Sequence, residues 1–168
     1  ALDGRKRPVR MVTSNAGHAL WGGVLDDEVA GRVVERFGRP DLTTEYGVRT
    51  LARSSSWYAP FAYHRGNIWP FDNGVLAAGL MRHGEVEAAT RVMTAVTGAL
   101  LTIGAPVELY IALDTDSMAT ALTPGTPPGR LLMARHPDRK RVVQGFSAAA
   151  LLYFAATLAE REGIDVSD

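Results

Sequence analysis

Tyr63, His64, Arg65, Asn67, Trp69 and Asp72 crowd into ten positions of the stretch YHRGNIWPFDNGVLAAGL, residues 63–80. Gly66 and Pro70 interrupt the run, and beyond Asp72 it changes to small apolar residues. Further segments share the same character. SNAGHALWGG carries Asn15, His18 and Trp21, TEYGVRTL carries Glu45, Tyr46 and Arg49, and PVELY carries Glu108. Aromatic rings set among carboxylate, amide, imidazole and guanidinium groups suit a polyhydroxylated ligand. Rings stack on the C–H face of a sugar, and the polar groups grip its hydroxyls. A plainer reading stands beside this one. Trp and Tyr also seal the ends of helix bundles, and Asp72 sits where a helix cap belongs. Glu45 could make a loop or capping contact, and Glu108 could be buried against an arginine such as Arg49. Clustering in separate segments favours ligand binding.

Other chemistries find little support. His18, His64, His83 and His136 show no i, i+4 pairing, so no helical zinc site is indicated. DTDS at 114–117 lacks the glycine and terminal glutamate of a calcium loop. No glycine-rich segment ends in Lys-Ser/Thr as a phosphate loop does, and Ser54–Ser56 lack the setting of a nucleophile elbow. There is no cysteine, hence no disulfide framework and no thiol nucleophile. Neither metal nor cofactor is expected. The missing cysteines fit a reducing compartment, and a cytoplasmic location is expected. Eighteen basic residues balance eighteen acidic ones, which gives no reason to expect nucleic acid or an anionic membrane as partner. No apolar run reaches the roughly 20 residues of a membrane span. The opening ALDGRKRPVR is basic, but no apolar segment follows it as in a signal peptide.

These residues need elements to hold them. The chain has 168 residues, 46% of them apolar and 21% charged, enough for one domain with a core. LDDEVAGRVVERFGRP reads as a helix capped by Asp26 or Asp27, with Val29, Val33 and Phe37 on one face and Gly38 and Pro40 at its end. FDNGVLAAGLMRHG reads as a helix opened by Asp72 or Asn73 and closed at Gly84. EVEAATRVMTAVTGALLTIG follows almost without a loop, so an antiparallel helical hairpin is expected. GFSAAALLYFAATLAERE is a last helix. Residues 41–70 and 104–145 read as long irregular segments, of the kind that often carries function. Only PVELYIAL could form a short strand. The expected fold class is all-α, with helical hairpins carrying long functional loops.

SNAGHALWGG, YGVRTL and YHRGNIWPFDNGVLAAGL, in that order, resemble serial motifs of the bacterial amylo-α-1,6-glucosidase, or glycogen-debranching-like, family. Related motifs occur in trehalases and in the α-glucosidases akin to mannosylglycerate hydrolases. The match is strong over residues 14–80. It resumes weakly at PVELY and at VQGFSAAALL. The resemblance implies an (α/α)6 toroid, a ring of six helical hairpins, and inverting hydrolysis of α-glucosidic bonds in glycogen-like or oligosaccharide substrates. Such chemistry needs one protonated carboxyl for the leaving oxygen and an ionised one about 6.5–9.5 Å away to activate water. By resemblance the base falls on Glu108, although YIALDTDS follows it where the family has a glycine-containing turn. The general acid is expected upstream of residue 1. His18, Trp21, Arg49, Tyr63, His64, Asn67, Trp69 and Asp72 would shape the sugar pocket.

A closed ring takes roughly 350 residues, beyond the usual domain size. Residues 1–168 are therefore expected to be the C-terminal part of one barrel, without turnover of their own. The second reading is a carbohydrate-binding or regulatory module that does not hydrolyse. The expected partner is a carbohydrate, and the open apolar edges of a partial barrel could join a second copy into a homo-oligomer.

Overall fold

In a computed structural model of the chain, residues 2–114, 131–135 and 143–164 are described. DTDS beyond Asp114, TPGTPPG and HPDRKR lie outside them. The described elements are α1 (Ala16–Gly22), α2 (Asp27–Phe37), β1 (Thr43–Thr44), β2 (Gly47–Val48), α3 (Pro70–Arg82), α4 (Val86–Ile103), β3 (Tyr110–Asp114), β4 (Leu131–Arg135) and α5 (Gly145–Arg161). The architecture is largely helical with two small antiparallel hairpins. The described residues do not close a ring.

Helix α2 starts as expected. The Asp26 carboxylate accepts a bond from the Val29 N–H at 2.8 Å, and Asp27 and Glu28 in the first turn face the positive end of the helix dipole. Its Ala30 and Phe37 enter the core.

Helix α3 departs from expectation at its start. It begins at Pro70, whose missing N–H suits the first helical turn, and Trp69 is the N-cap with no side-chain cap bond. Asp72 is already inside the helix. Its carboxylate bonds to residues of the α1 segment and not to the N–H groups of its own helix, which corrects the capping role expected of it.

Pro70, Gly74, Leu76, Ala77, Gly79 and Leu80 are all buried, on more than one side of α3. The reason is that α3 is packed by α1, α4 and α5 together. Gly79 shows how close the α1 contact is. A Cβ there would lie 2.8 Å from the Trp21 backbone nitrogen and 2.9 Å from the Leu20 Cβ. No side chain fits without moving backbone.

Helix α4 turns back on α3 after His83, Gly84 and Glu85, and Gly84 supplies the positive φ of +74°. This is the expected helical hairpin. By length and composition α4 could cross a membrane. Its Ala89, Val92, Met93, Val96, Ala99 and Leu100 belong to the main core cluster, as in the core helix of a globular fold.

The long segment 41–70 is more ordered than its sequence. β1 and β2 pair Thr43 with Val48 and Thr44 with Gly47. Thr44 Oγ1 closes the turn by accepting from the Tyr46 N–H at 3.0 Å and donating to the Gly47 carbonyl at 2.8 Å. Beyond the hairpin, Arg49 bridges to Ile68, and Ile68 bridges to Tyr110. Ile68 and Tyr110 exchange both backbone bonds, at 2.8 and 3.0 Å. This seam lays PVELY beside GNIWP. β3 is the expected short strand, but it pairs with β4, whose sequence falls in a stretch that reads as irregular.

Candidate active site

Two neighbouring asparagines build the floor. Asn67 is fully buried, and its side chain is used from both ends. Its Nδ2 donates to the carbonyls of Ala62 (2.7 Å) and Tyr63 (2.9 Å). Its Oδ1 accepts from the Trp69 indole at 2.8 Å and lies 3.1 Å from the Thr50 hydroxyl. Thr50 adds a second tie, accepting from the Gly66 N–H at 3.0 Å. Gly66 itself has φ +122°, and a Cβ there would overlap the Tyr58 ring at 2.2 Å. Asn73, in the first turn of α3, accepts from the Val48 N–H (2.7 Å) and donates to the carbonyls of Val48 (3.0 Å) and Trp69 (2.9 Å). Loop 62–69 is thus fixed by satisfied buried polar groups, which would cost heavily if left unpaired.

On this floor stands an aromatic cluster. His64 stacks on Trp69 with centroids 4.5 Å apart and planes 17° from parallel. Tyr63 meets both edge-on, at 4.4 and 4.8 Å. Tyr63 is 41% exposed, so the cluster remains open to a ligand. The Tyr63 hydroxyl donates to Glu108 Oε1 at 2.8 Å. Glu108 is partly buried, two residues before Tyr110 on the seam that holds PVELY against GNIWP. The structure therefore brings Tyr63, His64, Trp69 and Glu108 together in one cluster. The bond fixes the carboxylate and the phenol ring relative to each other.

Asp72, His18 and Ser14 form a neighbouring group. The Ser14 hydroxyl donates to Asp72 Oδ2 at 2.7 Å, and His18 Nε2 lies 3.2 Å from Asp72 Oδ1. The Asp72 side chain is 17% exposed and that of His18 39%.

Arg49 and Asn67 depart from the sequence reading. Arg49 is 1% exposed; its guanidinium reaches the Pro40 carbonyl at 3.4 Å, and its Nε has no partner. It does not pair with Glu108, and its side chain is buried in this chain. Asn67 is buried and spends its side chain on the loop backbone, Thr50 and the Trp69 indole. Both read as sugar contacts in the sequence because a sequence shows that a residue is polar but not which way it faces. Trp21 is 55% exposed and makes no ring contact with the cluster. Glu45 is exposed, and the Tyr46 carbonyl accepts from the buried Tyr110 hydroxyl. Burial pushes the Tyr110 phenol far above its ordinary range, so it stays neutral. Thr50, Asn73 and Ser14 do not stand out in the sequence as parts of a site. Their only signal there is a short polar residue within a motif, which is common everywhere. Among the described residues, no group of three His, Asp or Glu could hold a metal ion.

The sequence profile of a family described as the mannosylglycerate hydrolase MGH1-like glycoside hydrolase domain matches residues 2–112. Mannosylglycerate hydrolase MGH2 of Selaginella moellendorffii is 33% identical over 73 residues, covering 44% of this chain and 15% of that protein. The fold is similar to a crystal structure of GH63 mannosylglycerate hydrolase from Thermus thermophilus in complex with glucose. The TM-score is 0.60 at 22% identity, over 90% of this chain and 33% of that one. A second crystal structure of that enzyme, with Tris and D-glycerate, gives 0.60 at 22% identity, over 91% and 32%. The chain spans about a third of the length of these structures. These likenesses uphold the wider six-hairpin glycosidase relationship. They replace its amylo-α-1,6-glucosidase and glycogen-debranching branch, because the relatives matched are mannosylglycerate hydrolases.

Proposed function

Since the chain belongs to the mannosylglycerate hydrolase MGH1-like glycoside hydrolase domain family, we propose that it supplies the base side of an inverting α-glycosidase. It would form the C-terminal part of the catalytic barrel. Glu108 is the general base that activates water. Tyr63, His64 and Trp69 form the wall against which the sugar packs. The observation that carries this reading is the bond from Tyr63 to Glu108, which sets a carboxylate at the lip of an open aromatic cluster. The second carboxyl, the acid, is expected on a segment preceding these residues in a longer protein. The 168 residues alone are then expected to give no turnover.

The substrate proposed is a small glycosyl conjugate of the mannosylglycerate type. The names of the relatives favour it over the glycogen-like chains implied by the sequence motifs. The test is hydrolysis by a longer protein carrying this chain, with product anomers followed by proton NMR. Mannosylglycerate cleaved faster than maltooligosaccharides, with inversion at the anomeric carbon, supports the reading. Retention overturns the mechanism, and a preference for maltooligosaccharides overturns the substrate. Binding of either sugar without cleavage would favour a carbohydrate-binding module instead.

A further inference from the structure

A ridge of contacts runs from α5 across α3 to the α1 segment. Phe146, in the first turn of α5, meets Phe71 of α3 with ring centroids 5.1 Å apart. Phe71 meets the edge of His18 at 6.1 Å. His18 meets Asp72 at 3.2 Å, and Asp72 meets Ser14 at 2.7 Å. Phe146 is 62% exposed and Phe71 37%, so two phenyl rings stand in water beside a polar pair. Neither phenylalanine announces itself in the sequence, since each falls within an ordinary helical pattern.

Asp72 dictates what His18 can offer. A carboxylate accepts and cannot donate, so the imidazole nitrogen facing it, Nε2, must carry a proton. In the neutral ring Nδ1 is then a bare acceptor. No described residue bonds to it. Ser14 holds Asp72 from the other oxygen and Phe71 lies against the ring edge, so the imidazole keeps one orientation. The result is a fixed acceptor beside a broad apolar face. A pyranose presents the complement: a hydroxyl to donate, and a C–H face to lie on phenyl rings.

We propose that Phe146, Phe71 and the Asp72-oriented His18 form a second saccharide-contacting subsite, adjoining the Tyr63–Trp69–Glu108 pocket. Phe71 and Phe146 carry the ring face, His18 Nδ1 accepts one hydroxyl, and Asp72 is a positioning residue that acts through His18. The inference rests on the carbohydrate reading of the Glu108 pocket, and the two can fail separately.

The experiment records the His18 imidazole and the Trp69 indole by ¹H–¹⁵N NMR in the full chain while methyl α-D-mannoside is added. Both signals are expected to shift saturably. F146L, which keeps apolar bulk but removes the ring, should weaken the His18 response about tenfold, the loss of roughly 60 Å² of apolar contact. It should leave the Trp69 response in place. D72N should abolish the single Nε2–H tautomer seen in the ¹⁵N shifts and with it the His18 response. A merely structural Asp72 would leave the tautomer as it was. If Trp69 shifts and His18 does not, the second subsite is overturned and the pocket reading stands. If His18 responds equally in F146L, the aromatic part is overturned. If neither signal moves, both readings fail together.

Discussion

The helical pair α3–α4 and the loop 41–69 lie side by side and are held in opposite ways. The helices are fixed by apolar contact. Leu76, Ala77, Met93 and Val96 are all fully buried, and α1 comes close enough at Gly79 to leave no room for a Cβ. The loop is fixed by polar groups in the interior: the side chains of Thr50, Asn67 and Asn73, each residue 4% exposed or less, bond to loop backbone. The aromatic cluster and Glu108 stand on the loop side, with the helices as backing. Apolar packing tolerates many shapes that fill the same volume, whereas a hydrogen-bonded asparagine accepts only one. A site that must hold a ring and a carboxylate in register therefore rests on the second kind of support.

This contrast can be broken from either side. Leu76→Ala should cost the most, about 3–4 kcal/mol of folding stability by urea titration, from a cavity under a fully buried side chain. The Trp69 environment should be unchanged in the folded fraction. Asn67→Ala should cost about 3 kcal/mol, since it removes three buried side-chain bonds, to the carbonyls of Ala62 and Tyr63 and from the Trp69 indole. Here the Trp69 fluorescence and indole shift should change even where the protein is folded. If Leu76→Ala perturbs Trp69 as much as Asn67→Ala does, the division between backing and floor is wrong. Gly79→Ala should cost about 2 kcal/mol by forcing α1 off α3.

The smallest effect concerns pH at the entrance to the loop. Arg36 grips both oxygens of Asp41 at 2.8 and 2.7 Å, and Ser54 donates to it as well. The Arg36 bonds foremost hold its carboxyl below the usual 3.8. Because the folded value is the lower one, the stabilisation is complete above 3.8 and is lost as pH falls through the folded value. Asp41→Asn should flatten the acid limb of the stability curve by less than about 1 kcal/mol. An unchanged acid limb would show that the pair serves geometry alone.

The same contrast explains what is legible beforehand. Helices α2, α3, α4 and α5 can be read from sequence because apolar spacing, the Asp26 cap and the Gly84 turn act within a few residues. Helix α1 cannot, since SNAGHALWGG is only two turns long and mixes polar and small residues. The hairpin 43–48 escapes because its strands are two residues each, too short to show alternation, and strand β4 escapes because its partner β3 lies some twenty residues back along the chain. Glu108 and the Tyr63–His64–Trp69 run are legible as residue types, and the structure adds that they meet. Arg49 and Asn67 are legible only as polar residues. Their burial depends on the seam through Ile68 and Tyr110, which no local pattern displays. The residues around Asp72 fit a cap, yet Ser14 and His18, more than fifty positions away, claim its carboxylate.

If Glu108 activates water while the aromatic cluster holds the sugar, removing its charge should stop turnover and spare binding. The most direct measurement compares a longer hydrolytically active protein carrying this chain with its Glu108→Gln variant, reading kcat and saccharide Kd separately. A fall in kcat of about 10²–10⁴-fold with Kd little changed is expected when a general base is removed and the binding wall is kept. Hydrolysis that continues undiminished in Glu108→Gln would contradict it.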